Sequence, residues 1–437
     1  MTEHPDKNEE RTACCVVGGG PAGMMLGLLL ARAGIQVTVL EKHGDFFRDF
    51  RGDTVHPSTL QVFSELGFLD EFLNLPHQKI TSAGAVIGDF AFTAADFSHL
   101  RTRCPFVALM PQWDLLDFLA GKARRFPNFR LAMNREAVDL VRDQGRVAGV
   151  VVKTSSGTTT VRADLVIGCD GRHSTVRRCA GLEVADAGVP IDVLWFRISR
   201  NATDSEQLLG RVNYGKALIL INRSEYFQAG LIIRKGSFGE IQRGGLERFR
   251  EDLVRMAPFL EDRVHELRDW DQVKLLTVQI NHLRRWHQPG LLCIGDAAHA
   301  MSPAGGVGIN LAIQDAVAAA RMLAGVLPDH VLTDRLLPAI QRRRELPARV
   351  TQLLQKRAHA GFARVFRIQG PIKAPWQLRV AVCVPGLQRA LGHVVGIGIR
   401  PEHVKKQEPN RVLIGLACGV GAVLACLCSR RRKAFAA

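Results

Sequence analysis

The sequence lacks the cysteine patterns of metal-binding and disulfide-stabilised proteins. Ten cysteines occur in 437 residues, but none forms a Cys-x-x-Cys pair and no zinc-binding spacing is present. Cys14, Cys15, Cys169 and Cys293 lie in apolar, strand-like runs. We therefore predict a protein without a bound metal, in which these cysteines are small buried side chains in a reducing compartment.

Signal-peptide and nucleic-acid-binding patterns are also missing. Residues 1–11 are polar and lack an apolar segment, so they do not predict a signal peptide, and we expect a cytoplasmic protein. The net charge is +16 and the isoelectric point is about 9.8, yet the basic residues are scattered without interleaved aromatics. This scatter argues against binding of nucleic acid. The positive charge is then explained by binding to an anionic membrane surface, by binding of an anionic small molecule or by a solvated basic surface.

A glycine motif is present between two predicted strands, residues 12–17 and 35–40, with a predicted helix over 24–33. Gly18, Gly20 and Gly23 have the G-x-G-x-x-G spacing in this strand–turn–helix context. These glycines permit a tight turn, close approach of a pyrophosphate and close packing of helix on strand. Glu41 ends the second strand, where a carboxylate accepts a ribose hydroxyl. The motif predicts a bound dinucleotide, either FAD or NAD(P).

Two further turns follow predicted buried strands. Residues 163–169 lead into Asp170 and Gly171, and residues 291–294 lead into Gly295 and Asp296. The second of these turns continues into a long glycine-rich loop that precedes a helix predicted over 311–327. Such a loop is suited to anions and to a flat ring lying against backbone. Gln112 begins another predicted helix, either directed into the cofactor cleft or facing solvent.

Four strand-like runs, 190–200, 211–222, 225–235 and 273–283, predict an antiparallel sheet inserted in the nucleotide-binding domain. The fold class is therefore predicted as α/β, with a discontinuous Rossmann-like domain, an inserted antiparallel β-sheet and C-terminal helices. We expect the inserted sheet to be the platform for the substrate.

The three turns together resemble those of the FAD-dependent aromatic hydroxylases, the group A flavoprotein monooxygenases of the p-hydroxybenzoate hydroxylase and ubiquinone-hydroxylase type. The resemblance covers about residues 12–404. It implies an FAD-dependent monooxygenase with NAD(P)H as a transient co-substrate. Such an enzyme uses O₂, through a flavin C4a-hydroperoxide, to hydroxylate an aromatic or quinone-like, lipophilic small molecule.

The resemblance also implies domain boundaries and site residues. The predicted units are 12–188 and 285–345 for the two parts of the FAD-binding domain, 189–284 for the substrate sheet, 346–405 for C-terminal helices and 406–437 for a tail. The implied cofactor contacts are Gly18, Gly20, Ala22, Gly23, Glu41, Lys42, Arg51, Gln112, Asp170, Asp296, Pro303, Gly306, Gly308 and Asn310.

Catalytic residues are not identified by the resemblance. Phenol-hydroxylating members often use tyrosines to help deprotonate the substrate, whereas this chain has only two, Tyr214 and Tyr226. Pro303 and Tyr226 are candidates for lining the substrate pocket, although a packed sheet aromatic is the simpler interpretation of Tyr226. We assign no catalytic base, because an electron-rich substrate does not require one.

The tail contains an uncharged run over 412–428, followed by the basic residues 430–433. This pattern favours association of 412–433 with a membrane, either by insertion or along the surface, over a packed C-terminal helix.

A flavin-dependent reductase of isoprenoid double bonds is the alternative function. A flavin halogenase is disfavoured because the W-x-W-x-I-P element is missing, and a non-enzymatic flavoprotein is a more distant alternative.

Overall fold

The computed structural model describes residues 9–47, 54–204, 208–327 and 329–404. The strands are β1 (Glu9–Val17), β2 (Val37–Leu40), β3 (Thr54–Val55), β4 (Gln78–Ile80), β5 (Ser82–Ile87), β6 (Phe90–Asp96), β7 (Val107–Leu109), β8 (Phe129–Ala132), β9 (Glu136–Asp143), β10 (Arg146–Thr154), β11 (Gly157–Gly168), β12 (Val184–Asp186), β13 (Ile191–Ser199), β14 (Leu208–Asn213), β15 (Lys216–Asn222), β16 (Tyr226–Arg234), β17 (Lys274–Leu276), β18 (Asn281–Leu283), β19 (His287–Gln288) and β20 (Leu291–Cys293). The helices are α1 (Pro21–Arg32), α2 (Pro57–Leu66), α3 (Leu69–Leu73), α4 (Gln112–Ala123), α5 (Thr175–Cys179), α6 (Phe238–Arg243), α7 (Leu246–Met256), α8 (Gly308–Leu323), α9 (His330–Val365), α10 (Trp376–Val382) and α11 (Leu387–Gly396).

The first of the two large sheets has eight strands. Six of them follow the order β19-β20-β11-β1-β2-β8, and β10 pairs with β11 and with β9. The pairs β20–β11, β11–β1, β1–β2 and β2–β8 are parallel. Their buried parts, which are 14–17 of β1, 165–168 of β11, β2 and β20, are mostly apolar, as expected for strands covered on both faces. Cys14, Cys15 and Cys293 are fully buried in them, and burial raises the pKa of the Cys15 thiol to about 12.

A seven-stranded sheet lies beside the first, in the order β17-β13-β16-β15-β14-β5-β6. Its strands β13 to β17 occur in the chain between β11 and β20, so they interrupt the parallel sheet. β5 and β6, which precede the predicted insert, also join this sheet, through a parallel pair between β5 and β14. The architecture confirms the predicted fold class, a Rossmann-like α/β domain combined with a largely antiparallel sheet.

The two faces of the seven-stranded sheet have different partners. On one face Leu194, Phe196 and other alternate residues pack against α7. On the other face Val193, Trp195 and Ile232 form an apolar cluster with residues of α9 and with the segment after α11. The second face therefore connects the sheet to the C-terminal helices.

The predicted membrane-associated tail, 412–433, lies outside the described residues, as does Arg51. Within the described ranges, no helix combines the length and the apolar character needed to cross a bilayer.

Helix α11 packs directly on the backbone of β6. A Cβ added at Gly392 would lie 1.8 Å from the carbonyl oxygen of Asp96, so a side chain at this position requires the helix to move away. By contrast, a Cβ at Gly361, in the exposed part of α9, meets no atom within 4 Å.

We predict that Gly392→Ala destabilises the protein by about 1–3 kcal/mol, because the added methyl group overpacks this contact. Gly361→Ala is the matched control and should stabilise by about 0.5–1 kcal/mol, since alanine is the better helix former. Thermal and urea unfolding of the two variants check this prediction. Equal unfolding midpoints for both variants would contradict the described packing of α11.

Candidate cofactor site

The first turn, between β1 and α1, is built from two positions that do not accommodate a side chain. Gly18 has a φ of +106°, and a Cβ there would lie 2.5 Å from the carbonyl oxygen of Cys169. A Cβ at Gly23 would lie only 1.9 Å from the carbonyl oxygen of Gly18. These contacts allow α1 to begin directly above the ends of β1 and β11.

The N-terminus of α1 is open. Gly20 is its N-cap without a side-chain hydrogen bond, and a Cβ at Gly20 would meet no atom within 4 Å. The first turn contains Ala22 and no acidic residue, so the partial positive charge of the helix end is not compensated from within the helix. Free backbone donors, positive charge and open space at one place suit an anionic group such as a pyrophosphate.

Glu41 is fixed beside this turn at the end of β2. One carboxylate oxygen accepts the backbone N–H of Gly19 at 3.0 Å, and the other accepts the N–H of His43 at 3.1 Å. The neighbouring Lys42 is exposed. Two oriented hydrogen bonds hold the carboxylate at the mouth of the first turn, the position expected for a ribose-binding acid.

Asp170, in the second turn, organises the short helix α5. Its carboxylate accepts the hydroxyl of Ser174 at 2.5 Å and the N–H of Val176 at 3.1 Å. Burial raises the pKa of Asp170, although these hydrogen bonds act in the opposite direction. Asp170 therefore shapes the backbone of the second turn.

Arg177 connects the second turn to the third. Its guanidinium donates to the carbonyl of Ala297 at 3.3 Å, to Asn281 Oδ1 at 3.4 Å and to the carbonyl of Arg172. Burial lowers the pKa of Arg177, while nearby acidic groups that include Asp170 act to raise it. A buried cation thus fixes two of the predicted turns relative to each other.

The third turn contacts α1 directly. Gly295 has a φ of +59°, and a Cβ there would lie 3.2 Å from the Cβ atoms of both Ala22 and Ala312. Asp296 follows in a 3₁₀ turn, Gly295–Ala297. Because β1, β11 and β20 are neighbouring parallel strands, the three turns meet at one edge of the sheet. The structure therefore brings together Gly18 to Gly23, Asp170 and Asp296.

The loop from Pro303 to Asn310 is held by the side chain of Asn310. Its Oδ1 accepts the N–H of His56 at 2.9 Å and the hydroxyl of Thr59 at 2.7 Å, while its Nδ2 donates to the carbonyls of Thr54 and Gly306 at 3.1 and 3.2 Å. This set uses the two donors and both acceptor positions of the amide. Asn310 thus fixes the loop against the segment that begins at Thr54.

Helix α9 holds the other end of the same loop. Gln355 Nε2 donates to the carbonyls of Ser302 and Ala304, both at 2.9 Å, and its Oε1 accepts the N–H of Ser302 at 3.1 Å. His359 Nε2 is hydrogen-bonded to the Ser302 hydroxyl at 2.9 Å, and burial lowers the pKa of this histidine. The residues on both sides of Pro303, Ser302 and Ala304, are therefore held through their backbone groups by the side chain of Gln355 in α9. Gly308, by comparison, begins α8.

Two predicted residues lie on other elements. Gln112 is the first residue of α4 and is partly buried. Tyr226 begins β16, and the guanidinium of Arg197 lies 5.1 Å from its ring centroid. The described structure shows no contact between Tyr226 and the three turns, and its role in the substrate pocket stays a prediction.

Several side chains that support the site were not identified from the sequence: Thr54, Asp315, Arg344, Gln355 and His359. They carry no local motif, because each contacts the loop, the third turn or another of these side chains across 20 or more positions of the chain. Gln355, for example, lies in a long helix whose sequence predicts only helical structure.

The fold and the three turns are those of a dinucleotide-binding protein, and comparisons with known proteins identify its family. A family model described as "FAD binding domain" matches residues 11–354. The chain is 34% identical over 425 residues to the 6-methylpretetramide 4-monooxygenase of Streptomyces rimosus, covering 94% of this chain and 100% of that protein. It is 30% identical over 313 residues to the rifampicin monooxygenase of Streptomyces venezuelae, covering 69% of this chain and 61% of that protein.

Solved structures show the same fold. PqsL of Pseudomonas aeruginosa aligns with a TM-score of 0.69 and 21% identity, covering 82% of this chain and 100% of that chain. OxyS anhydrotetracycline hydroxylase of Streptomyces rimosus aligns with a TM-score of 0.69 and 21% identity, covering 91% and 78%. The chain therefore belongs to the FAD-binding-domain family, and within it to the FAD-dependent monooxygenases. This confirms the resemblance and the prediction of an FAD-dependent oxidoreductase.

The geometry of the turns fits FAD. The close contacts at Gly18 and Gly23 leave a backbone cradle without side chains, and the open N-terminus of α1 suits the pyrophosphate. Carboxylates at Glu41 and Asp296 are suited to sugar and ribityl hydroxyls. In this arrangement α1 and Glu41 would hold the adenosine half, and the loop from Pro303 to Asn310 would lie against the ring.

We predict that Gly23→Ala weakens FAD binding by at least about tenfold, because the new methyl group forces α1 away from the first turn. Flavin fluorescence titration of the apoprotein measures this effect. Gly121→Ala in α4 is the control, since a Cβ there meets no atom within 4 Å. An unchanged FAD affinity in Gly23→Ala would show that this turn does not bind the cofactor.

We predict that Asn310→Asp also weakens FAD binding by about tenfold, because a carboxylate faces the carbonyls of Thr54 and Gly306 instead of donating to them. Asn128→Asp is the matched control, since the Asn128 amide donates to the carbonyls of Ala31 and Ile35 at 2.9 and 2.6 Å, away from the loop. Both variants should lose thermal stability, but only Asn310→Asp should change FAD affinity. Equal affinities would contradict a role of this loop in the cofactor site.

Proposed function

We propose that this protein is an FAD-dependent monooxygenase that uses NAD(P)H and O₂ to hydroxylate an aromatic, polyketide-like small molecule. The observation that carries the proposal is the meeting of three glycine-containing turns at the carboxyl ends of β1, β11 and β20. Crevices at the carboxyl ends of parallel strands are the usual binding places for dinucleotides. Bound FAD would supply the redox chemistry, with electrons from NAD(P)H and with O₂ as the source of the added oxygen.

The residues of this chain would position the cofactor and exclude water from it. The N-terminus of α1 would bind the pyrophosphate, Glu41 a ribose hydroxyl and Asp296 the ribityl chain. The loop that begins at Pro303 would lie against the ring. Contacts with α9 hold one end of this loop, and Asn310 holds the other. Lys42, Gln112 and Asp170 remain proposed contacts at the edges of this site, and Arg51 is proposed from the sequence alone.

The substrate is proposed to lie between the loop and the seven-stranded sheet. Helix α9 contacts both, because Gln355 and His359 hold the loop while Phe362 packs on the apolar face that contains Val193 and Trp195. Val193 and Trp195 are themselves buried in this packing, so a lipophilic ring system would lie beside the packed cluster, against its apolar border. Tyr226 is proposed to lie near the edge of this region, as a wall and not as a base.

The relatives support a polycyclic aromatic substrate. The 34% identical relative from Streptomyces rimosus is named for 6-methylpretetramide and matches over its whole length. A second relative from the same species, 27% identical over 319 residues, is named as a 12-dehydrotetracycline 5-monooxygenase and anhydrotetracycline 6-monooxygenase. We propose a fused-ring phenol as the substrate class, because such rings are electron-rich and this is consistent with a site in which we assign no catalytic base.

We predict that the purified protein contains or takes up FAD and that a fused-ring phenol stimulates its oxidation of NADH or NADPH. The product should gain one oxygen atom that derives from ¹⁸O₂. Oxygen uptake, NAD(P)H absorbance and product mass spectrometry over a panel of phenols and quinols check this prediction.

Measurements on the same purified protein distinguish the alternative function from the proposed one. Anaerobic reduction of an isoprenoid double bond, without oxygen in the product, would favour a flavin-dependent reductase. A flavin that NAD(P)H never reduces would contradict both enzymatic functions.

A further inference from the structure

A chain of buried ionisable side chains lies behind the third turn. His299, Asp315, Arg344 and Glu402 are each at most 1% exposed. His299 Nε2 lies 2.6 Å from Asp315 Oδ2, and Arg344 Nε donates to Asp315 Oδ1 at 2.8 Å. Arg344 Nη1 in turn lies 3.5 Å from Glu402 Oε1. The chain thus extends from the third turn to the last described segment of the protein.

Asp315 contacts the third turn at its backbone. Its Oδ2 accepts the N–H of Gly295 at 3.1 Å, in addition to the bonds from His299 and Arg344. Burial acts to raise the pKa of Asp315, but His299 and Arg344 outweigh it, so the pKa lies below the usual range and the group is a carboxylate. The residue immediately after Gly295 is Asp296, the proposed ribityl contact. The position of that contact therefore depends on Asp315.

Glu402 forms the end of this ionic chain that is farthest from the third turn. It accepts Arg343 Nε at 2.6 Å and lies 3.0 Å from Arg321, besides its contact with Arg344. Arg344 Nη1 also donates to the carbonyl of Arg400 at 3.1 Å. The segment 400–404 lies beyond residue 354, where the match to the FAD-binding family model ends. It is nevertheless connected to the third turn through two ionic contacts.

We infer that Asp315 and Glu402 are positioning residues for FAD and that the segment 400–404 is part of the cofactor site. This inference rests on the proposed role of the third turn in binding FAD. Removing one charge from a buried ionic chain leaves the others uncompensated, so the remaining side chains and the backbone that they hold must move. An amide at position 315 replaces one carboxylate oxygen with an NH2 group, so either the N–H of Gly295 or the Arg344 guanidinium loses its acceptor, and the contact with the third turn or with Arg344 is broken.

The test compares three isosteric variants. Asp315→Asn breaks the chain at the turn, and Glu402→Gln breaks it at the far end. Glu65→Gln is the matched control, because Glu65 holds the same segment by accepting His403 Nδ1 at 2.6 Å and the N–H of Val404 at 2.8 Å, without contacting the ionic chain. FAD affinity is measured by flavin fluorescence titration of the apoprotein, and the visible circular dichroism of the flavin is recorded at saturating FAD.

We expect Asp315→Asn to weaken FAD binding by about tenfold or more and Glu402→Gln by several fold. Both should change the circular dichroism of the bound flavin, which a loss of stability alone does not do. Glu65→Gln should lower the unfolding temperature without either effect. The double variant Asp315→Asn, Glu402→Gln should lose less affinity than the sum of the single effects predicts, because both substitutions break one chain.

Wild-type protein that binds FAD, together with an Asp315→Asn variant of unchanged affinity and circular dichroism, would overturn this inference and leave the proposed function intact. Equal effects of Glu65→Gln and Glu402→Gln would also overturn it, since anchoring of the segment and not the charge would then be the cause. Wild-type protein that does not bind FAD would overturn the proposed function as well. If Asp315→Asn does not fold, Glu402→Gln decides the question against the same control.

Discussion

The contact between α1 and the first turn is the constraint on which the site depends. At Gly23 the helix approaches the carbonyl oxygen of Gly18 so closely that a Cβ would lie 1.9 Å from it. This approach places the open end of α1 over the junction of β1 with β11, and it places Ala22 where the third turn packs against it. The two other turns reach the same edge only because β11 and β20 continue the parallel order set by β1.

Two layers form the site. The layer that would face the cofactor is backbone, made of glycine-containing turns and a helix end. The layer behind it consists of buried polar side chains that hold this backbone. Asn310, Arg177 and Gln355 each bridge segments that are distant in sequence. A buried polar group without a partner costs about 1–3 kcal/mol, so these bridges define one arrangement of the turns and disfavour others.

The sequence predicts the first layer better than the second. The spacing of Gly18, Gly20 and Gly23 identifies the turn because its physical cause is local: a helix that follows a strand at once needs these glycines. The predicted cofactor residue Asn310 shows the opposite case, since three of its four side-chain hydrogen bonds reach residues more than two hundred positions away, His56, Thr59 and Thr54. For the same reason β5 and β6 were not expected in the seven-stranded sheet, because strand alternation does not specify a distant pairing partner.

The buried ionic chain is better understood as a device for geometry than as a source of stability. Desolvation offsets much of the attraction between buried charges, so an apolar core of equal volume would be about as stable. An apolar contact between α8 and α9, however, would tolerate small shifts of one helix along the other. Charged pairs between Asp315 and Arg344, and between Arg344 and Glu402, tolerate them poorly, because each shift leaves a charge without its partner. A site that holds a long cofactor through several separate turns requires such fixed relative positions.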